Sequence, residues 1–367
     1  ALYTPCRDQG QQECRKAVGP VADPENRIGQ GRQPIMQVGF IQIFFRSLEK
    51  VDKIIAKIEA DPEPDEIKAV EINLWKNIRK KALEGRRTGV GITAEGDMLA
   101  ALGIQYGSDE SIAFSEKVHK TLAVEAYRSS VEMAKDRGAF LVFDAVKEKD
   151  NPFINRIKEA DPQLYEDMLS YGRRNISLLT IAPTGTTSLM TQTTSGIEPI
   201  FIVSYKRRRK INPNDRDVRV DLVDEVGDHW EEYQVFHHNF NTWLKANGYD
   251  PAEVSKMDDT SLGKLIEQSP YHKATANDVD WVKKVRLQGT VQKWVDHSIS
   301  VTVNIPEETS EDLVAEIYKT GWESGCKGVT VYRDGSREGV LLSGKSKATT
   351  MRSDAPKRPT ILEAELL

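Results

Sequence analysis

The chain has 367 residues, 39% of them hydrophobic and 29% charged, with a formal net charge of −5, which suits a soluble protein of one large domain or two smaller ones. That balance, with a pI near 5.8, argues against general nucleic-acid binding, and no apolar run approaches the roughly 20 residues that cross a bilayer. Three cysteines, Cys6, Cys14 and Cys326, are too few and too scattered for a disulfide framework or a C-x-x-C metal site; with no signal-peptide h-region at the N-terminus, the reading is cytoplasmic and reducing.

Residues 1–46 stand apart. They are rich in Gln, Gly, Pro and Arg and show no sustained period until I-M-Q-V-G-F-I-Q-I-F-F near their end. From Val51 the pattern is helical, with Val51, Ile54, Ile55 and Ile58 on one face and Asp61-Pro62-Glu63-Pro64 as the stop. Asp65 is read as the cap of a second helix, whose apolar positions are Ile67, Val70, Ile72, Leu74, Trp75 and Ile78. Thr88 to Thr93 reads as a short strand, and Glu95 to Leu102 as a helix ending at Gly103. Ser108 to Arg137 reads as a long amphipathic helix closed by Gly138. Helices are expected over Asn155–Gly172, Trp230–Ala246 and Asp278–Trp294. The last third reads strand–helix–strand: Ser298–Val303, Glu311–Ser324, Val329–Tyr332. Beyond Gly339 the composition turns to Ser, Lys, Thr, Arg and Pro, as in a loose linker or tail. The expected organisation is thus an unmatched segment 1–46, a folded region 47–340 and a linker or disordered tail 341–367. Alternating strands and helices with glycine-marked crossovers indicate an α/β fold with parallel strands.

The most informative stretch runs from Leu178 to Pro199, L-L-T-I-A-P-T-G-T-T-S-L-M-T-Q-T-T-S-G-I-E-P. A short apolar strand, Leu178 to Ala182, stops at Pro183, and a turn of small residues follows: Thr184, Gly185, Thr186, Thr187 and Ser188. Such a turn aims backbone N–H groups and hydroxyls at one point, and a helix starting just after it adds a positive end, which suits a phosphate. The plain alternative is a Ser/Thr-rich surface turn.

This string resembles the phosphate-binding loop of ribonucleotide reductases, in the form typical of the adenosylcobalamin-dependent (class II) enzymes. Three more segments resemble that family in the family's order: Gly85–Gly91 (G-R-R-T-G-V-G), Asp296–Pro306 (D-H-S-I-S-V-T-V-N-I-P) and Gly325–Arg337 (G-C-K-G-V-T-V-Y-R-D-G-S-R). The similar region covers roughly Val51 to Val340. The resemblance implies the C-terminal part of a ten-stranded α/β barrel with long flanking helices. It also implies that Pro183, Thr184, Gly185, Thr186 and Thr187 bind the substrate phosphates. The lone Tyr332, where classes that import a radical carry adjacent tyrosines, and the P-T-G-T spelling both favour the cobalamin-dependent class. The implied activity is ribonucleoside-diphosphate reductase, yielding 2′-deoxyribonucleotides by thiyl-radical chemistry. Its implied cofactor is adenosylcobalamin, and its implied reductant a thioredoxin-type or other dithiol.

The N-x-C-x-E string that supplies the family's radical cysteine is absent: no Asn is followed two positions later by Cys. The C-terminal C-x-x-C electron relay is absent too, so no catalytic residue is assigned. Cys6 and Cys14 lie outside the similar region, and Cys326 reads as a packed, inert thiol. Two functional readings follow. One is a fragment or split subunit of the reductase, partnered by the N-terminal half; the other is a non-catalytic nucleotide-binding half-barrel. An unrelated α/β phosphate-binding protein is a weaker third. A half-barrel leaves strand edges and apolar faces unpaired, so self-association, including a homodimer, is expected of the isolated chain.

Other candidates have plainer readings. Gly89–Gly96 (G-V-G-I-T-A-E-G) lacks dinucleotide spacing and reads as a strand and turn. Lys206–Lys210 (K-R-R-R-K) reads as a solvated surface balanced by the acidic residues that follow, Asp215, Asp217, Asp221, Asp224 and Glu225. His237 and His238 are adjacent and make a poor metal pair. His119 reads as structural, and His297 as a strand residue near the barrel mouth.

Overall fold

The computed structural model describes residues 48–212, 218–224 and 227–336. The chain forms two compact units, one comprising residues up to Thr88 and Glu125–Ser177, the other Gly89–Val124 and the chain from Leu178 onward. The expected segments 1–46 and 341–367 lie outside the described residues.

The first unit is helical. Residues 48–60 and Asp65–Gly85 form two helices, joined by an ion pair between Arg79 Nε and Asp52 Oδ1 at 2.8 Å. Asp65 does not cap the second: it is the first helical residue, preceded by Pro64 with no side-chain cap. Of its expected apolar face, Ile72 and Trp75 are half-buried, but Ile67, Val70, Leu74 and Ile78 are exposed, Val70 at 71%. The helical period is present, but these four apolar positions are not covered by any of the described residues. The expected helix Asn155–Gly172 is two helices, Pro152–Ala160 and Pro162–Tyr171. Pro162 cannot continue a helix from Ala160, and the Asp161 carboxylate instead caps the second by accepting from Leu164 N at 2.9 Å. Phe153, Ile154, Ile157, Leu164 and Met168 form its core with Tyr127 and Phe140. Arg173 lies 5.3–5.8 Å from the ring centroids of Tyr127, Phe140 and Phe143 and pairs with Glu148, so its charge is stacked and neutralised rather than left buried alone.

The second unit holds the strands. Val90 bridges Leu179, Ile181 bridges Ile299, and Thr302–Ile305 pairs with Thr330–Arg333, all parallel. The lateral order is therefore the segment around Val90, then 178–182, then 298–305, then 330–333, the parallel α/β order expected. Within this arc, among the described residues, Thr302–Ile305 and Thr330–Arg333 are full strands, while Val90, Leu179, Ile181 and Ile299 pair through isolated bridges. Gly91 belongs in this arc because a Cβ there would stand 2.0 Å from the Thr180 carbonyl oxygen. Asp296 starts one segment by accepting both Leu178 N and Leu179 N at 2.8 Å, which explains the acid of the D-H-S-I-S string. The crossover helices Trp281–Gln292 and Glu311–Glu323 pack Val285 and Ile317 against Val303 and Ile305. Burial of such side chains contributes about 2 kcal/mol each.

The expected helix Trp230–Ala246 is half wrong. His229–Phe236 is a strand, paired antiparallel with Ser204–Lys210 on one side and Leu222–Val223 on the other, and only His238–Ala246 is helical. The β-rich run W-E-E-Y-Q-V-F meets a charged partner strand, and pairing overrides its weak helical pattern. That helix buries Phe240 and Leu244 in a cluster with Ile200, Val203, Val254, Leu262, Leu265 and Tyr271.

The balance of Lys206–Lys210 is real but has different partners from those expected. Arg208 pairs with Glu232, Arg209 with Glu231, Lys210 with Asp228 and Lys206 with Asp259. Of the expected acids, Asp221 holds Arg219 and Asp224 accepts from Trp230 Nε1; Asp215, Asp217 and Glu225 lie outside the described residues.

Candidate functional site

The loop after Ile181 turns more tightly than its sequence suggests. Thr184 takes a left-handed conformation at φ 48°, and the helix Gly185–Thr191 begins inside the hydroxyl-rich turn rather than after it. A β-branched residue at positive φ is strained by about 1–2 kcal/mol. Its side chain shows what holds it there: Thr184 Oγ1 accepts the Gly196 N–H at 2.9 Å and lies 3.1 Å from Thr93 Oγ1. The Thr184 hydroxyl is therefore turned back to tie the loop to S-G-I-E-P and does not cap its own helix.

Three N–H groups at the start of that helix, those of Gly185, Thr186 and Thr187, have no intrahelical acceptor; the first helical bond is Ser188 N to Thr184 O at 2.8 Å. Pro183, Gly185, Thr186 and Thr187 are exposed and Thr184 is half-buried. The hydroxyls of Thr186 and Thr187 make no hydrogen bond among the described residues, and a Cβ on Gly185 would meet nothing within 4 Å. Ser188, buried, faces inward to Ser195 Oγ at 2.7 Å. Four of the five expected residues thus lie open together, while Thr184 is the anchor.

The returning segment Thr193–Pro199 is held by groups the sequence did not single out. Thr93 Oγ1 donates to Thr194 O at 3.1 Å, and Ala94 N reaches the same carbonyl at 3.0 Å. Ala94 is itself left-handed at φ 68°. Asp97 Oδ2 accepts from Thr194 N at 2.8 Å, and its other oxygen lies 2.7 Å from His237 Nε2. The Tyr271 and Asn239 side chains also interact electrostatically with the Asp97 carboxylate. Burial works to raise this carboxyl, but the His237 hydrogen bond and charge, with the Thr194 N–H and Asn239, bring it below its usual value. Burial, with the Asp97 charge, pushes the Tyr271 phenol up.

A second clamp holds the end of the segment. Glu198 Oε1 accepts from Thr302 N at 2.7 Å and Glu198 Oε2 meets Lys284 Nζ at 2.7 Å. Lys284 is fully buried, and burial lowers its ammonium despite the Glu198 charge. His119 and Glu95 form a buried pair at 2.9 Å, consistent with a structural histidine. His297 sits on the arc with its side chain 19% exposed. Cys326 is half-buried, bonds Val285 O at 3.8 Å, and is pushed up to about 11 by burial. Among the described residues no group of three or more His, Cys, Asp or Glu could hold a metal ion, and no helix is long and apolar enough to cross a membrane.

A parallel α/β arc carrying an exposed glycine-hydroxyl loop at a helix start is the architecture of a barrel-type α/β unit. The sequence matches the ribonucleotide reductase barrel domain over residues 65–332, and the chain belongs to that family. It is 31% identical over 295 residues to the vitamin B12-dependent ribonucleoside-diphosphate reductase of Mycobacterium tuberculosis (strain CDC 1551 / Oshkosh), covering 76% of this chain and 34% of that protein. It is 27% identical over 296 residues to the enzyme of the same name from Thermoplasma acidophilum, covering 78% of this chain and 33% of the relative. The vitamin B12-dependent ribonucleotide reductase of Rhodopirellula baltica is 26% identical over 325 residues, with 77% and 29% covered. The chain thus spans about a third of the length of the curated relatives it matches. Among solved structures, the Actinobacillus ureae class Id ribonucleotide reductase alpha subunit aligns with a TM-score of 0.49 and 18% identity, over 70% of this chain and 41% of that one.

Proposed function

We propose that this chain is the substrate phosphate-gripping part of a vitamin B12-dependent ribonucleoside-diphosphate reductase. The N–H groups of Gly185, Thr186 and Thr187, with the Thr186 and Thr187 hydroxyls, donate to the phosphate oxygens, while Pro183 and Thr184 shape the turn. The observation that carries this reading is the uncapped, outward-facing start of the helix Gly185–Thr191, inside a string the sequence shares with the family. Oriented amides and the positive helix end favour a negative ligand without any cationic side chain. Region 47–340 corresponds to the C-terminal part of the reductase barrel, and the radical cysteine comes from residues other than the described ones.

Adenosylcobalamin, the cofactor class in the relatives' names, would supply the initiating radical in the assembled enzyme. The other partners are the ribonucleotide substrate, a dithiol reductant of thioredoxin type and the N-terminal reductase segment, in the cytoplasm.

Calorimetric titration of the full chain with ADP tests the grip. Saturable binding that is strongly weakened in Gly185→Val supports it. Binding that is absent, or unchanged in that variant, overturns it and leaves the loop a surface turn.

A further inference from the structure

We propose that Asp97 and His237 form a positioning pair for the phosphate loop, setting the attitude of its amides from behind; the inference rests on the phosphate-gripping reading of that loop. The pair is built from residues 140 positions apart, with His237 Nε2 2.7 Å from Asp97 Oδ1. It is sheltered, with 15% of the His237 side chain and 7% of the Asp97 side chain exposed. Neither residue touches the open face of the loop. Their effect passes through a short chain of hydrogen bonds.

Asp97 Oδ2 takes the Thr194 N–H at 2.8 Å, and the Thr194 hydroxyl receives Asp97 N at 3.4 Å, so this residue is held on both sides. Two residues on, Gly196 N is shared between Thr184 Oγ1 at 2.9 Å and Thr93 Oγ1 at 3.2 Å. Thr184 precedes Gly185 and is held at positive φ by that same hydroxyl. The rotation of Asp97 thus fixes Thr194, Thr194 fixes Gly196, and Gly196 fixes the strained residue from which the loop amides project. Close packing adds to this: a Cβ on Gly96 would lie 2.7 Å from the Glu198 carbonyl oxygen, so the helix carrying Asp97 sits directly on the returning segment.

His237 is placed to lock the Asp97 rotamer. It precedes the helix His238–Ala246, its N–H donates to Val203 O at 2.9 Å, and its ring meets Tyr271 edge-on at 6.1 Å between centroids. A carboxylate with one oxygen on a backbone N–H and the other on an imidazole has no freedom to turn. Removing the imidazole leaves the Thr194 N–H as the hydrogen bond that holds the carboxylate.

Two variants separate positioning from folding. His237→Phe keeps a ring of similar size and removes the bond to Asp97; His237→Gln restores a donor. In the full chain labelled with 15N-glycine, His237→Phe is expected to move the amide resonances of Gly196 and Gly185 while Gly138 and Gly335 stay in place. His237→Gln returns them toward their wild-type positions. ADP affinity falls about tenfold in His237→Phe and recovers in His237→Gln. If the Gly196 and Gly185 resonances do not move in His237→Phe, the positioning pair is refuted whatever the affinity. If they move and recover but ADP binds none of the proteins, the coupling stands and the phosphate-gripping reading fails.

Discussion

Two segments of the second unit compete, on sequence, for the role of the proposed anion site: the neutral loop Pro183–Thr187 and the cationic strand Ser204–Lys210. The strand has five consecutive Lys and Arg residues, and the structure places carboxylates against four of them. The loop has no charge, yet it leaves three N–H groups and two hydroxyls facing outward. A count of cations measures how much charge must be balanced. A count of donors without partners measures what remains to be offered. Asp144, Asn151, Asp161, Asp250, Asp258, Asp280 and Ser310 each cap their helices with a side-chain oxygen, whereas this start, like those of Asp65–Gly85, Glu95–Ala101 and His238–Ala246, has no side-chain cap.

The comparison breaks most readily at its support. Lys284→Met strips Glu198 of its buried cation and is expected to cost about 3 kcal/mol of stability, read from the midpoint of urea unfolding. A loss below 1 kcal/mol would mean that Glu198 stands without it. Gly185→Val adds a side chain where 4 Å around the Cβ is empty, so the fold should tolerate it. That side chain covers the amides, and ADP affinity should drop roughly 30-fold, about 2 kcal/mol, with the melting temperature unchanged. A large fall in melting temperature would instead make Gly185 a folding residue.

A smaller effect is expected in acid. The Asp97 carboxyl titrates below its ordinary value in the folded chain, so its contribution to stability is present above the unfolded-state value of 3.8 and is lost as the pH falls through the folded one. Acid unfolding followed by circular dichroism should therefore show a shallower acid limb in Asp97→Asn than in wild type. Identical limbs would assign the acid sensitivity to other carboxylates.

What could be read in the sequence was local. The helix Asp109–Arg137 and its glycine stop were legible because an apolar period and a Gly at φ 76° lie within one continuous stretch. So was the loop, whose residues are contiguous. Its geometry was not: a β-branched residue at positive φ is disfavoured by every local rule, and only the distant Thr93 and Gly196 make Thr184 tenable there. Asp97 and His237 carry no motif and meet across 140 positions. The strand His229–Phe236 was misread for the same reason, since its state is decided by pairing with Ser204–Lys210 rather than by its own pattern.

The smallest expected effect is also the sharpest test of the contrast. Replacing Arg208 and Arg209 together with Ser removes two paired cations and leaves Glu231 and Glu232 exposed to water, which solvates them at little cost. If the amides of the loop are the anion site, ADP affinity at 0.15 M salt, where screening acts over about 8 Å, should change less than twofold. Its salt dependence should match wild type. A fall of tenfold or more, steepening at low salt, would show that the strand steers or holds the phosphate despite its ion pairs. The grip would then be shared between charge and oriented amides, and the neutrality of the loop would no longer explain why it binds.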